Sequence, residues 1–305
     1  MRRARKGRIA AVAVVAIVLA IGIGFYLRPL SFLYGLIAVQ MRLAGAHSEW
    51  VTVQGHQIHY YTLGPKDAPP LVMVHGLGGS AADFRNLAPY LLAAGFRIYL
   101  PDLPGFGKSE QPADFSYSIP DQAAIVVGFM DALGLKQVDL GGFSMGGWIV
   151  QRIAYDHPER VKRLMLFDSA GINEQPAWNT ALFTPTSAEE LEQFDALLMP
   201  HPPQVPAFVL RDLLRISRRD AWIIHRAMSA MLAGKDTTDA MLPQLKMPVF
   251  IEWGSEDHIT PLAQGEKMHR LVPQSEFDVV PGCGHLAPVQ CADRIGPELE
   301  AFLRK

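Results

Sequence analysis

The sequence predicts an α/β fold: a mainly parallel, eight-stranded sheet with helices on both faces, an inserted helical segment, and a membrane-spanning helix ahead of the body. Three observations predict it. Strand-like and helix-like runs alternate from about residue 50 to the C-terminus, the alternation breaks once between Gly171 and Leu245, and the chain opens on an uncharged apolar run over residues 9–27.

The N-terminal run holds nineteen residues, eleven of them Ile, Val, Leu or Phe. As a helix it would be about 28 Å long, close to the hydrocarbon thickness of a bilayer. Arg2, Arg3, Arg5, Lys6 and Arg8 precede it and Arg28 follows. The basic cluster is expected to stay in the cytoplasm, which places the body on the opposite, extracytoplasmic side. A cleaved signal peptide, with a secreted body, is the alternative, but its apolar core is normally only about 7–15 residues. Residues 30–41 carry no charge and are read as a connector lying along the membrane surface, or as a continuation of the same helix kinked at Pro29.

Two short runs, 50–53 and 58–63, read as an antiparallel edge. Parallel strands follow at 71–74, 97–100, 138–141, 162–167, 248–253 and 276–280, separated by helices near 82–94, 120–133, 145–157, 261–271 and 288–303. Between residues 172 and 245 prolines cluster at 200, 202, 203 and 206 and helix-like runs replace strands, which marks a lid. Val209, Leu213 and Ile216 recur at helical spacing, suited to lining an acyl pocket. Arg211, Arg215, Arg218 and Arg219 cluster elsewhere, either facing lipid or forming a solvated face paired with Asp212 and Asp220. The chain thus divides into an anchor and connector (1–41), a core (42–171 and 246–305) and a lid (172–245).

Gly142-Phe143-Ser144-Met145-Gly146 lies between a strand and a helix. A serine on so sharp a turn adopts sparsely allowed backbone angles, and Gly142 and Gly146 supply the room for the turn to close. The turn exposes the hydroxyl beside the first N–H groups of the following helix, a geometry suited to acyl transfer. Asp257 follows the strand at 248–253, and His285, in Pro-Gly-Cys-Gly-His, follows the last strand. The order Ser144, Asp257, His285 fits a nucleophile, an acid that orients the imidazole, and a general base. Asp168, after the strand at 162–167, is the alternative acid. His75 is read as ordering its loop and Asp102 as pinning the Pro-Gly turn.

With His75-Gly-Leu-Gly-Gly79 after the third strand, Pro101-Asp-Leu-Pro-Gly-Phe-Gly-Lys-Ser109 after the next, and Gly254-Ser-Glu-Asp-His258 around the acid, the chain resembles the α/β-hydrolases from about Val51 onward. It is similar to their branch of monoacylglycerol lipases, membrane-anchored ones among them, and bacterial carboxylesterase-lipases. The resemblance implies a serine hydrolase of lipid-like esters working through an acyl-Ser144 intermediate, with the backbone N–H groups of Leu77 and Met145 as the oxyanion hole and no organic or metal cofactor. Carbon–carbon bond hydrolases of vinylogous diketones and cofactor-free perhydrolases share such a triad, and a non-catalytic scaffold on the same fold is the rival from another class.

Gly76-Leu-Gly-Gly-Ser-Ala81 also satisfies a dinucleotide-type glycine pattern, but it follows the third strand rather than the first and leaves the Ser144, Asp257 and His285 set without a role. The chain has 28 basic and 30 acidic residues; without the five N-terminal basic ones the balance is 23 against 30, a net of −7 that argues against a nucleic-acid partner. The expected partners are a small ester substrate and the membrane. No Cys/His cluster has metal spacing, and the two cysteines, Cys283 and Cys291, are expected to be free thiols, with an intramolecular bridge on the far side of a membrane as the alternative.

Overall fold

The computed structural model describes residues 2–305, with side chains from Ala13 onward. Eight strands form one sheet: β1 (His47–Val53), β2 (His56–Leu63), β3 (Pro70–Val74), β4 (Arg97–Pro101), β5 (Val138–Phe143), β6 (Val161–Phe167), β7 (Val249–Gly254) and β8 (Glu276–Val280), in the order β1-β2-β4-β3-β5-β6-β7-β8. β1 and β2 form an antiparallel hairpin, β2 runs antiparallel to β4, and every later pairing is parallel. The central strands are largely buried on both faces, as parallel strands covered by helices must be, and β5 through β7 are apolar or small except at Asp139, Lys162, Arg163 and Glu252.

Helices α3 (Ala88–Ala93), α4 (Ile119–Ala132), α5 (Met145–Asp156), α8 (Leu262–Leu271), α9 (Ala287–Gln290) and α10 (Ala292–Leu303) cover the two faces. One apolar layer joins α4, α5 and α8 to the sheet through Val126, Ile149, Ile153 and Met268. The other joins α3 and α10 to the opposite face through Leu91, Ile295, Leu299 and Phe302. The helix expected at 82–94 is broken into a 3₁₀ turn (Ala81–Asn86) and α3, because Pro89 has no N–H to donate and so sits at the start of a new helix. The one expected at 288–303 is similarly divided at Cys291.

Between β6 and β7 the chain leaves the sheet and builds α6 (Ala188–Leu198) and α7 (Ala207–Met231). Ser187 caps α6 through its hydroxyl, which accepts from the Glu190 N–H. α7 is amphipathic, burying Ile223, Ile224, Ala227 and Met228 over the carboxyl ends of the strands.

Ahead of the sheet lie α1 (Arg2–Leu27) and α2 (Pro29–Leu43). Among the described residues no single helix is long and apolar enough to cross a membrane. The pair Ala13–Leu27 and Pro29–Leu43 passes by length and composition only when taken together, across a bend of 102°. The apolar run expected to span by itself, residues 9–27, falls within α1, and the side chains of its first four residues lie outside those described. The bend has a local cause: Arg28 leaves helical angles (φ −141°, ψ 55°), and Pro29, which cannot continue a helix from before, starts the next one. α2 is therefore a separate element. Its N-terminus is tied to the inserted helices, since the Leu30 N–H donates to the buried carboxylate of Asp212 at 3.1 Å, and Phe208 packs against the rings of Phe25 and Tyr26. Nearly every apolar side chain of α1 from Val14 to Leu27 is exposed, as are Phe32, Leu33, Tyr34, Leu36 and Val39 of α2.

Candidate active site

β5 ends at Phe143 and α5 begins at Met145, so the whole reversal falls on Ser144, with φ 54° and ψ −118°. For a residue with a Cβ that region is strained, and the surroundings hold it there. The Ser144 N–H donates to Phe167 O at 3.0 Å and its carbonyl accepts from Ala170 N at 3.1 Å, tying the turn to the end of β6. A side chain at Gly142 would run into the backbone of Gly146, and one at Gly146 into the carbonyls of Val74 and His75. Both glycines are thus demanded by close backbone approach.

The three residues expected to act together are adjacent. His285 Nε2 lies 2.9 Å from Ser144 Oγ, and His285 Nδ1 lies 2.8 Å from Asp257 Oδ2. Asp257 and His285 are both buried. The other oxygen of Asp257 accepts from the N–H groups of Ile259 and Thr260 at 2.8 and 2.9 Å, and the Thr260 hydroxyl donates to Oδ2 at 2.7 Å. The carboxylate is thereby pinned in the plane that points it at the imidazole. Thr260 had no sequence signal beyond its place three residues after an acid.

The loop after β3 turns at Gly76, whose carbonyl accepts from Gly79 N at 3.1 Å. Leu77 is on that turn beside Ser144. Met145 is the first residue of α5, where an N–H has no acceptor within its own helix. His75 is held in one tautomer by the backbone: the Leu103 N–H donates to Nε2 at 2.9 Å, so Nδ1 carries the proton and donates to Gly76 O at 2.8 Å. Asp102 accepts from the N–H groups of Ala81 (2.7 Å) and Lys108 (3.0 Å) and from the buried ring of His59 (2.7 Å), fastening the first strand pair to both loops. His59, which the sequence did not single out, completes that network.

Asp168, the alternative acid, accepts from Gly254 N at 2.7 Å through Oδ1 and does not reach the imidazole. It too stands in the left-handed region, at φ 41°, and is completely buried. Burial, reinforced by the neighbouring Glu252 and Asp257, pushes its carboxyl well above the usual range. Burial likewise pushes up Glu252, with Asp278 and Asp257 adding to the effect, and neither oxygen of Glu252 has a hydrogen-bond partner.

Ser144 stands where two cavities meet. The smaller, about 90 Å³, runs toward Trp148, Ile172, Trp178, Met228 and Met231. The larger, about 400 Å³, runs toward Leu191, Phe194, Leu198, Leu213, Ile216 and Leu286 and also contains His285. Leu213 and Ile216 therefore line the cleft as expected. Val209 does not, because the start of α7 turns toward the N-terminal helices. The arginines of α7 are engaged with protein: Arg211 lies over the Tyr26 ring and donates to its carbonyl, Arg215 pairs with Asp212, Arg218 donates to Thr186 O, and Arg219 pairs with Asp220.

The two cysteines, expected free, are joined in a disulfide. The loop after β8 folds back onto the start of α10, bringing Cα atoms eight residues apart in sequence to within 6.6 Å, with His285 inside the closed loop. Sequence spacing alone carries no information on that return.

A family model described as alpha/beta hydrolase fold matches residues 69–200 and 224–290. Lipase 1 of Psychrobacter immobilis is 26% identical over 262 residues, covering 81% of this chain and 81% of the lipase. The 2-hydroxy-6-oxo-6-phenylhexa-2,4-dienoate hydrolase of Burkholderia cepacia is 30% identical over 267 residues, covering 81% of this chain and 92% of the enzyme. Among solved structures, a membrane phospholipase A described as a bacterial virulence factor superposes with a TM-score of 0.82 at 27% identity, over 99% of this chain and 98% of its own.

Proposed function

The chain belongs to the α/β-hydrolase family, and from that premise we propose that it is a serine hydrolase of lipid-like carboxylic esters, held at a membrane by its N-terminal helices. The observation that carries the reading is the unbroken chain of hydrogen bonds from Ser144 through His285 to Asp257 at the floor of a largely apolar cleft.

In this reading Ser144 Oγ attacks the ester carbonyl carbon as His285 Nε2 takes its proton, and Asp257 stabilises the resulting imidazolium. The negative oxygen is received by the N–H groups of Leu77 and Met145, each worth about 3 kcal/mol in the transition state. The imidazolium returns its proton to the leaving alcohol. Water, activated by the same imidazole, then releases the acid from Ser144. The inserted helices α6 and α7 act as the lid, supplying apolar walls for an acyl chain. The exposed apolar surface of α1 and α2 supports membrane attachment, with the basic N-terminus cytoplasmic and the body on the far side, because a helix apolar all round is stable only when lipid or protein covers it. The likeness to a membrane phospholipase A along almost the whole chain, N-terminal helices included, supports the same reading.

A second reading, hydrolysis of a carbon–carbon bond, is favoured by the 30% identity to a dienoate hydrolase and uses the same three side chains. One substrate panel separates the two: p-nitrophenyl esters and monoacylglycerols of graded chain length beside 2-hydroxy-6-oxo-6-phenylhexa-2,4-dienoate. Turnover of long-chain esters at least about a hundredfold above that of the dienoate, abolished by Ser144→Ala, is expected. The reverse ranking would replace the ester reading with the other.

A further inference from the structure

Beyond the oxyanion loop the larger lobe of the cleft continues into a polar chamber of about 320 Å³, with which it shares Gly78, Gly79, Asp83, Ile216 and Asp220. The chamber runs under α2, where Tyr34, Ile37 and Ala38 form its wall, so it opens beside the segment that carries the exposed apolar side chains. Three cations face it: Arg85, Lys108 and Arg219.

Their partners are unequal. Arg219 makes a two-pronged pair with Asp220 at 2.7 Å for both contacts. Lys108 Nζ donates to the Tyr61 hydroxyl at 2.8 Å and sits 4.9 Å from the centre of that ring, and Arg85 donates to Ala82 O. Among the described residues neither Lys108 nor Arg85 has a carboxylate within ion-pair distance. None of the acids that line the chamber pairs with the side chain of either one. Asp102 keeps its charge but directs both oxygens to His59 and two backbone N–H groups, and Asp220 is held by Arg219. Asp83 accepts from the Ser80 N–H at 2.9 Å, and burial pushes its carboxyl up. A space of about 320 Å³ leaves room for a phosphate and a small polar group beyond it.

We infer that this chamber is a subsite for the phosphate of a glycerophospholipid headgroup, contiguous with the cleft where Ser144 attacks the acyl ester. The inference rests on the ester-hydrolase reading and narrows it to a substrate class. An uncharged headgroup such as glycerol would leave Lys108 and Arg85 without a counter-charge. The carboxylate of a released fatty acid would lie at Ser144, at the far end of the cleft. A phosphate diester supplies the charge and the acceptor oxygens where the two cations point, while the acyl chain occupies the apolar lobe and the glycerol backbone spans Gly78 and Gly79.

The test uses the full-length chain in mixed detergent micelles with dioleoylphosphatidylglycerol, dioleoylphosphatidylcholine, 1-oleoylglycerol and p-nitrophenyl butyrate. In the double variant Lys108→Gln/Arg85→Gln, the ratio of kcat/KM for either phospholipid to that for 1-oleoylglycerol is expected to fall about tenfold or more, chiefly through KM. Lys108→Arg, which keeps the charge, should restore most of the loss measured for Lys108→Gln alone. An unchanged ratio would overturn the inference, as would a fall confined to the anionic phosphatidylglycerol, which would indicate attraction to a charged surface. As a second measurement on protein whose folding is not in question, glycerol 3-phosphate should inhibit phosphatidylcholine hydrolysis by wild type competitively; no inhibition up to tens of millimolar, together with wild-type ratios in the double variant, would count against the subsite. If wild type cleaves p-nitrophenyl butyrate and 1-oleoylglycerol while the ratios hold, the subsite alone fails. If it cleaves no ester, the parent reading fails with it.

Discussion

At Ser144 a single residue carries both the strain of the turn and the proposed nucleophile, and the two are separable by substitution. Ser144→Ala keeps the backbone constraint and removes the hydroxyl. Ester hydrolysis is expected to fall by at least about 10⁴-fold, fluorophosphonate labelling to vanish, and the melting temperature to stay within a few degrees. Thr260 acts one step further back. Thr260→Val deletes one donor to Asp257 while leaving the two backbone donors, so kcat/KM and the labelling rate should drop together, by roughly tenfold to a hundredfold. Equal rates in variant and wild type would show that the backbone alone orients the acid. Glu252 gives a pH signature. Its carboxyl is raised in the folded chain, so the folded state holds a proton that the unfolded state releases near its ordinary pKa of about 4.3. Stability is therefore greatest below that value and declines as pH rises toward the folded pKa, by up to about 1.4 kcal/mol per pH unit for this one group. Glu252→Gln removes that slope: its melting temperature, compared with wild type across pH 5 to 9, should gain steadily on the alkaline side. The nucleophile, base and acid were legible because each sits in a short glycine-bounded motif after a strand. Thr260, His59 and Glu252 were not, since a threonine after an acid, a histidine in a hairpin strand and a glutamate inside a strand are common, and only the fold reveals what they touch.

Among the elements, the strands were the most legible, because parallel strands buried on both faces leave long apolar runs between helix signals. Helix ends were less so. Pro89 divides one expected helix and Cys291 another, and the bend at Arg28 and Pro29 converts one long apolar stretch into two elements. Glycines within helices differ in what they tolerate. Gly146→Ala should yield no soluble folded protein, since its Cβ meets two backbone carbonyls that cannot move apart. Gly35→Ala, in α2 with nothing within 4 Å, should be neutral or stabilising by about 1 kcal/mol through helix propensity. Circular dichroism and thermal melts of the two purified variants check both. The disulfide closes a short loop, worth roughly 2.5 kcal/mol by chain entropy for an eight-residue separation. Reduction with dithiothreitol should lower the melting temperature by several degrees, and activity more steeply, because His285 lies inside the loop. Loss of neither would mean that packing against α10 alone fixes the imidazole.

For the whole molecule, one buried carboxylate joins the aromatic contacts in coupling the body to the N-terminal helices. Asp212 takes the Leu30 N–H and the Arg215 guanidinium. Burial raises its pKa, but these bonds outweigh it and hold the carboxyl below its usual range. Asp212→Leu should loosen α2 from α7, measurable as faster amide exchange over residues 29–43, and leave hydrolysis of small soluble esters largely intact while that of vesicle-borne esters declines. What no local motif conveyed was this docking, since residues 30 and 212 are joined only by the folded chain. Under the proposed membrane attachment, the bend of 102° would set how the enzyme meets its substrate. If, as proposed, one arm stands upright in a bilayer and the other lies flat beside the mouth of the cleft, encounters would become lateral collisions within a two-dimensional fluid, and turnover would track the mole fraction of substrate among neighbouring lipids rather than its concentration in the surrounding water.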